Sequence, residues 1–291
     1  GSTLDVEGAR KAVADLGQKL GLGMEQTAEA ILAVVNQRMA GRMRLMSIER
    51  GLDPRDFALV AFGGAGPLHG GALIREVGVS TMLVPQYPGV LCALGCAYAD
   101  LRYDISQTVE KRLDAIAPQD LSAIFERQRE QAQQQIRDSQ VPVDSVVLSH
   151  AADMAYAGQI HSLRVPVQPG MSQAELEQAF IDTYRGQFGN TLKDIAVVLV
   201  NLRTVAVGSR SSTAAARPKA AASTAQPKPV SRRPVHFQRW YDTPVYQRDD
   251  LLPGMAFDGP AIIEQKDTTT VVEPDMTLVV DSHSNLLVKV K

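Results

Sequence analysis

Two cysteines, one tryptophan and only 5% aromatic residues set the first limits on this 291-residue sequence. Two thiols cannot build a disulfide framework or a four-thiolate zinc site, and they suit a reducing compartment, so the expected location is cytoplasmic. Neither sign of charge is in excess: 30 Lys and Arg stand against 32 Asp and Glu, a net of −2. No global field therefore draws nucleic acid or an anionic membrane, and neither is expected as a partner. No apolar run approaches the ~18 to 20 residues of a membrane span, and the amino terminus lacks the order of a signal peptide. His69, His150, His161, His236 and His283 are scattered without the HExxH spacing, so no metal site is expected. A GxSxG elbow and the Walker phosphate loop are absent too, which leaves no serine triad or P-loop to argue from.

What is present describes a soluble globular protein. Hydrophobic residues make up 45% and charged ones 21%, and the length allows about two domains at ~100 to 200 residues each. Gly1 and Ser2, in place of an initiator methionine, read as a cloning scar on a piece of something longer.

Helical spacing opens the chain. Asp5 is a plausible N-cap for Val6, Ala9, Val13, Leu16 and Leu20. Gly21 to Gly23 interrupt it, and a longer stripe from Ala28 through Met39, Met43 and Met46 ends near Gly51, its methionines read as core filler. Phe57 to Phe62 is a short continuous apolar run, the pattern of a strand buried on both faces. It runs into Gly63, Gly64, Ala65 and Gly66, and Pro67 then suits the first turn of a helix reaching Gly78. Thr81 to Pro85 supplies a second strand, so the economical reading is a βαβ crossover with parallel strands. Pro88 and Gly89 open a short helix, and Leu101 to Val109 alternates like a strand. Leu121 to Ser139 is a polar helix anchored by Ile124, Phe125 and Ile136, read as a surface connector.

The pattern then turns β-rich. Val146 to Tyr156 and His161 to Val167 flank a turn at Ala157 to Gln159 and predict an antiparallel hairpin, followed by a helix from Ser172 to Phe188 and a strand from Ile195 to Val207. Ser209 to Pro234 is rich in Ala, Ser, Pro and Lys and holds no acid, the composition of a solvated basic linker. Short strands follow at Trp240 to Gln247, Ala261 to Gln265, Thr268 to Val272, Met276 to Val280 and Leu286 to Val290. The expected domains are thus residues 1–112, a connecting helix at 113–142, the first part of a β-rich domain at 143–208, the linker at 209–234 and the second part of the β-rich domain at 235–291.

A strand, glycine turn and helix start leave backbone N–H groups unpaired, and glycines let a ligand approach the main chain. Gly63, Gly64, Ala65 and Gly66 fit either a nucleotide cradle or a tight turn with close helix packing. His69, in the first helical turn, reads either as a contact to phosphate or a substrate carbonyl or as a packing residue. Cys92 and Cys96 share a helical face with Val90, Leu91 and Leu94 and are expected to be buried apolar thiols.

Glu49 to Phe57, Ala61 to His69, Val84 with Pro85, and Pro88 to Gly95 together closely resemble the hydantoinase A / 5-oxoprolinase family. Later pieces agree: Asp153 to Gln159, Asn201 to Arg203, Tyr246 to Arg248, Gly259 to Glu264 and Thr268 to Thr270. The resemblance implies an α/β fold: part of an actin-like, sugar-kinase-like ATPase domain, followed by a β-rich α+β carboxyl-terminal domain. It implies ATP-driven opening of a hydantoin or lactam ring by the parent A subunit, with ATP and Mg²⁺ as its cofactors and a small cyclic amide as substrate. Gly63, Gly64, Ala65 and Gly66 match the family's adenosine-binding motif, and His69 belongs to the same stretch as a candidate catalytic residue. The two acidic D-x-G-G-T hairpins that hold phosphates and Mg²⁺ in such ATPases are absent, so the resemblance is to a carboxyl-terminal fragment. Implied partners are the amino-terminal half of the same subunit, a B-type subunit and possible further copies of the chain. Other readings are a non-catalytic assembly module, or part of an acetone- or acetophenone-carboxylase-like enzyme. Ala155, where the family commonly has arginine, and the stretch Asp182 to Gly189, without its His-Glu pair, depart from the pattern.

Overall fold

The computed structural model describes residues 5–210, 223 and 225–291. Its chain forms two compact units, one from residues 1–96 with 216–291 and the other from 97–215. No helix among the described residues is long and apolar enough to cross a membrane.

The first unit begins with α1 (Val6–Leu20) and α2 (Met24–Ile48). Asp5 caps α1 by accepting from the Gly8 N–H at 2.8 Å, and Gly21 ends it at φ 69°, a left-handed conformation that favours glycine. Met39 and Met43 pack on the core as expected, whereas Met46 is exposed. Next come β1 (Leu59–Val60), α3 (Gly66–Val77) and β2 (Thr81–Val84), with β1 and β2 parallel, the crossover read from the sequence. The run Phe57 to Phe62 is not a doubly buried strand, however. Only two of its residues extend, and Phe57, Val60 and Phe62 are exposed because β1 lies at a sheet edge. Cys92 and Cys96, on α4 (Leu91–Tyr98), are free and exposed rather than buried, since that helix buries none of its residues among the described ones.

The second unit starts at β3 (Leu101–Arg112), followed by α5 (Pro118–Asp138), β4 (Ser145–Tyr156), β5 (Leu163–Val167), α6 (Gln173–Phe188) and β6 (Val197–Ser209). These strands make an antiparallel sheet in the order β3-β6-β4-β5. The hairpin read from the sequence is β4 with β5, pairing Met154 with Leu163 and His150 with Val167. Buried residues of β6, among them Leu199 and Leu202, meet Phe125, Met154 and Phe180 in the core. α5 is not a connector but packs on this sheet. Gln128 donates to the Leu202 carbonyl at 2.9 Å and accepts from Thr204 Oγ1 at 2.8 Å, a satisfied polar anchor that an apolar pattern does not reveal.

The chain then completes the first unit with β7 (Ser231–Phe237), β8 (Arg239–Gln247), β9 (Ala256–Asp258), β10 (Ala261–Gln265), β11 (Thr268–Val272), β12 (Met276–Val280) and β13 (Leu286–Val290). One sheet runs β1-β2-β13-β12-β9 and another β11-β10-β8-β7. Residues 235–291 therefore pack in the first compact unit, and 143–208 in the second. β13 pairs with β2, Leu286 opposite Val84, and buries Leu278, Leu286 and Val288 with Ile74 and Met82. Two short parallel strands cannot bury a helix face alone, and the late strands supply the missing sheet. The boundary at 112 and the separate element at 113–142 give way to the unit 97–215 for the same reason, since β3 pairs with β6.

Of the basic stretch, residues 211–222 and 224 lie outside the described residues. Its end is not linker: Arg232, Arg233 and Pro234 belong to β7, an edge strand where proline removes no needed hydrogen bond. Arg232 Nε donates to Asp242 at 2.5 Å, and Arg233 lies 3.5 Å from Glu264.

Candidate functional site

At the carboxyl ends of β1 and β2 the first unit presents two adjacent loops, the place where open α/β sheets hold ligands. After β1 the chain turns at Gly63, whose φ of 75° is left-handed and suits glycine. The Gly63 N–H donates to the Pro88 carbonyl at 2.8 Å, fastening this turn to the loop after β2. The turn between β10 and β11 holds the other side. Thr268 Oγ1 donates to the Gly64 carbonyl at 2.9 Å, and Gln265 Nε2 donates to the Gln86 carbonyl at 3.0 Å. Asp267 packs so closely on Gly89 that a Cβ there would come within 2.0 Å of its carboxylate.

This bracing leaves the upper surface of the turn open. Among the described residues no acceptor pairs with the N–H groups of Gly64, Ala65 or Gly66, which precede and open α3. A Cβ on Gly63 would meet nothing within 4 Å, and one on Gly64 only the Asp267 carbonyl at 3.5 Å. Three unpaired donors, an exposed main chain and a helix start suit the polar end of a nucleotide. The donor set fits ATP.

His69 is tied to α2. Its Nδ1 lies 2.9 Å from Asn36 Oδ1 on α2, and the ring is half-buried between the two helices. Because an amide oxygen only accepts, Nδ1 carries the hydrogen in this contact. The structure thus brings Gly63, Gly64, Ala65 and Gly66 together with Thr268, Gln265 and Pro88, three residues that sequence reasoning did not assign to the site. Thr268 stood within a quoted family motif, but nothing local indicates that its hydroxyl reaches across 204 residues to Gly64.

The second unit carries a larger cleft of about 860 Å³, lined by Arg112, Asp114, Tyr156, Gln173, Arg185 and Lys193 among others. On β4 of the same unit Asp153, 5% exposed, holds together three strands. It accepts from Arg203 Nε at 2.6 Å, Asn201 Nδ2 at 3.1 Å and Arg164 Nε at 3.3 Å. Burial pushes its carboxyl pKa up, but the bonds from Arg203, Asn201 and Arg164 outweigh that and hold it below the usual carboxylate value. Among the described residues no three His, Cys, Asp or Glu side chains converge on a metal position.

Residues 2–105 match the hydantoinase/oxoprolinase family, and residues 108–290 match the hydantoinase/oxoprolinase C-terminal domain. The chain belongs to this family. It is 33% identical over 285 residues to an uncharacterized protein, MJ0964, of Methanocaldococcus jannaschii, covering 97% of this chain and 40% of that one. It is 30% identical over 276 residues to the caprolactamase subunit alpha of Pseudomonas jessenii, covering 91% of this chain and 40% of that subunit. With 5-oxoprolinase 1 of Arabidopsis thaliana the identity is 26% over 282 residues, covering 93% and 21%. The crystal structure of the ATP-dependent caprolactamase from Pseudomonas jessenii superposes with a TM-score of 0.75 at 30% identity, over 98% of this chain and 43% of that one. The chain thus spans well under half the length of each of these relatives. The fold is the α/β one the resemblance implied, of the actin-like type, with β-rich structure following it.

Proposed function

We propose that the full-length subunit to which this chain corresponds is an ATP-dependent hydrolase of cyclic amides, a hydantoin or lactam, and that this chain supplies the adenosine-side turn of its nucleotide site. The observation that carries the reading is the open turn with three unpaired N–H groups at the ends of two parallel strands. The names of the relatives support it, since a caprolactamase described as ATP-dependent and a 5-oxoprolinase both act on lactams. When bound, ATP supplies a phosphoryl group that gives an unreactive amide carbonyl a good leaving group.

This chain's own residues hold and orient. Gly64, Ala65 and Gly66 donate main-chain N–H groups, and Gly63 permits the turn. Thr268 and Pro88 fix its position, so that little ordering remains to be done on binding. His69 has a positioning role, tying the first turn of α3 to α2 through Asn36. Mg²⁺ is assigned to the acidic hairpins of the amino-terminal half. The exposed apolar residues around β1, Phe57, Val60 and Phe62, are the surface proposed to meet that half. A B-type partner subunit accords with the relative being named a subunit alpha. Two exposed free thiols accord with a reducing, cytoplasmic setting.

The test is Gly64→Val in the full-length subunit. Its Cβ meets only the Asp267 carbonyl, at an ordinary contact distance of 3.5 Å, so the fold is expected to persist while the Kd for ATP rises at least ~10-fold, about 1.4 kcal/mol. Unchanged ATP affinity by calorimetry would contradict the assignment.

A further inference from the structure

Arg248 follows β8, in the tight turn formed by residues 248–250, and is 5% exposed. A guanidinium cannot discard its charge to suit a buried position, so it needs acceptors. The structure gives it one. Nη2 donates to the Ser284 carbonyl, while Nε has no hydrogen-bond partner. No carboxylate among the described residues forms an ion pair with it, and residues 1–4, 211–222 and 224 contain no Asp or Glu to provide one. Asp249 and Asp281 lie near enough to attract it, yet Asp281 is committed to its own turn, accepting from the His283 and Asn285 N–H groups, both at 2.8 Å, and from Asn285 Nδ2 at 2.9 Å. Burial pushes the Arg248 pKa down to about 10, which still leaves it cationic at neutral pH.

The side chain lines a partly open cavity of about 140 Å³ with Gln86, Tyr87, Asp249, Leu252 and Pro253. At roughly 30 Å³ per water, that space suits a compact oxyanion. Gln86 and Tyr87 lie on the loop after β2 that also carries Pro88, whose carbonyl accepts from Gly63.

We propose that Arg248 anchors an oxyanion subsite, taking a compact carboxylate or a phosphate in the cavity it shares with Gln86 and Tyr87. The guanidinium edge offers the planar fork that recognises either group, and the bound anion supplies the acceptor that the fold omits. The subsite stands independently of the nucleotide reading, because its evidence is the unpaired buried charge and the cavity alone.

The experiment follows the Arg248 Nε–H resonance in the ¹⁵N-labelled full chain, assigned through Arg248→Lys. Inorganic phosphate and acetate are titrated separately against chloride at matched ionic strength. Leu252→Trp fills the cavity without altering Arg248. A saturable shift at millimolar anion is expected, with the apparent Kd raised at least ~10-fold in L252W. A response to phosphate alone supports a phosphate subsite, and a response to acetate supports one for a substrate carboxylate. An Nε–H unmoved by both anions in the folded chain, or a shift that L252W leaves intact, overturns the proposal.

Discussion

Asp153 shows how one residue can organise a sheet. It stands opposite Asn201 on one side and Arg164 on the other, so its carboxylate bonds are cross-strand ties in register. Removing it leaves Arg203 short of its partner, but Arg203 and Arg164 are partly solvated and the loss is less than for a fully buried pair. Asp153→Asn is expected to lower stability by roughly 2 kcal/mol at neutral pH, measured by urea unfolding. The sign of the pH dependence follows from the depressed carboxyl value. Its contribution is present above the unfolded pKa of about 3.9 and fades as pH falls through the folded value, so the variant and the parent chain should converge in acid. The thiols teach a different lesson. Cys92 and Cys96 lie on an apolar helical face, which the sequence alone reads as core, yet helical spacing says nothing about whether a partner covers that face. Both are expected to react with a thiol reagent in the native chain without denaturant, and two slow, denaturant-dependent thiols would contradict their exposure.

For single elements, sequence was most informative where local chemistry decides. Asp5 before α1, Ser172 before α6, and Gly21 and Gly78 after α1 and α3 marked ends that the structure shares. It was least informative where the environment decides, as for Phe57 to Phe62, whose apolar run is exposed at an edge. Two glycines separate local from environmental effects. Gly41 lies inside α2 and a Cβ there would meet nothing within 4 Å. Gly41→Ala should raise stability by about 1 kcal/mol through helix propensity. Gly259 precedes β10, and a Cβ there would fall 2.0 Å from the Glu273 carbonyl oxygen. Backbone cannot yield as a flexible side chain does, so Gly259→Ala should cost about 3 kcal/mol by the same melting measurement. A Gly259→Ala chain as stable as the parent would show that the two segments are not held together as described.

In the molecule as a whole, the division into units depends on strand partners rather than on strand existence. The sequence pattern locates β10 to β13 closely, but alternation cannot tell that β13 belongs beside β2, about two hundred residues earlier, while β6 joins β3 and β4. The candidate site divides in the same way. Its glycine turn is legible from a strand, turn and helix start in succession, whereas Thr268 and Gln265 reach it or its neighbouring loop only through the tertiary fold. The central claim, that this fold serves ATP-dependent opening of a cyclic amide, is tested most directly by following ring opening and ADP release together in the full-length subunit with its partner subunit. Caprolactam, 5-oxoproline and hydantoin are the substrates to offer. The expected result is that at least one ring opens only when ATP is present and that ADP release rises with it. Ring opening without ATP, or ATP turnover indifferent to every cyclic amide offered, would contradict the account.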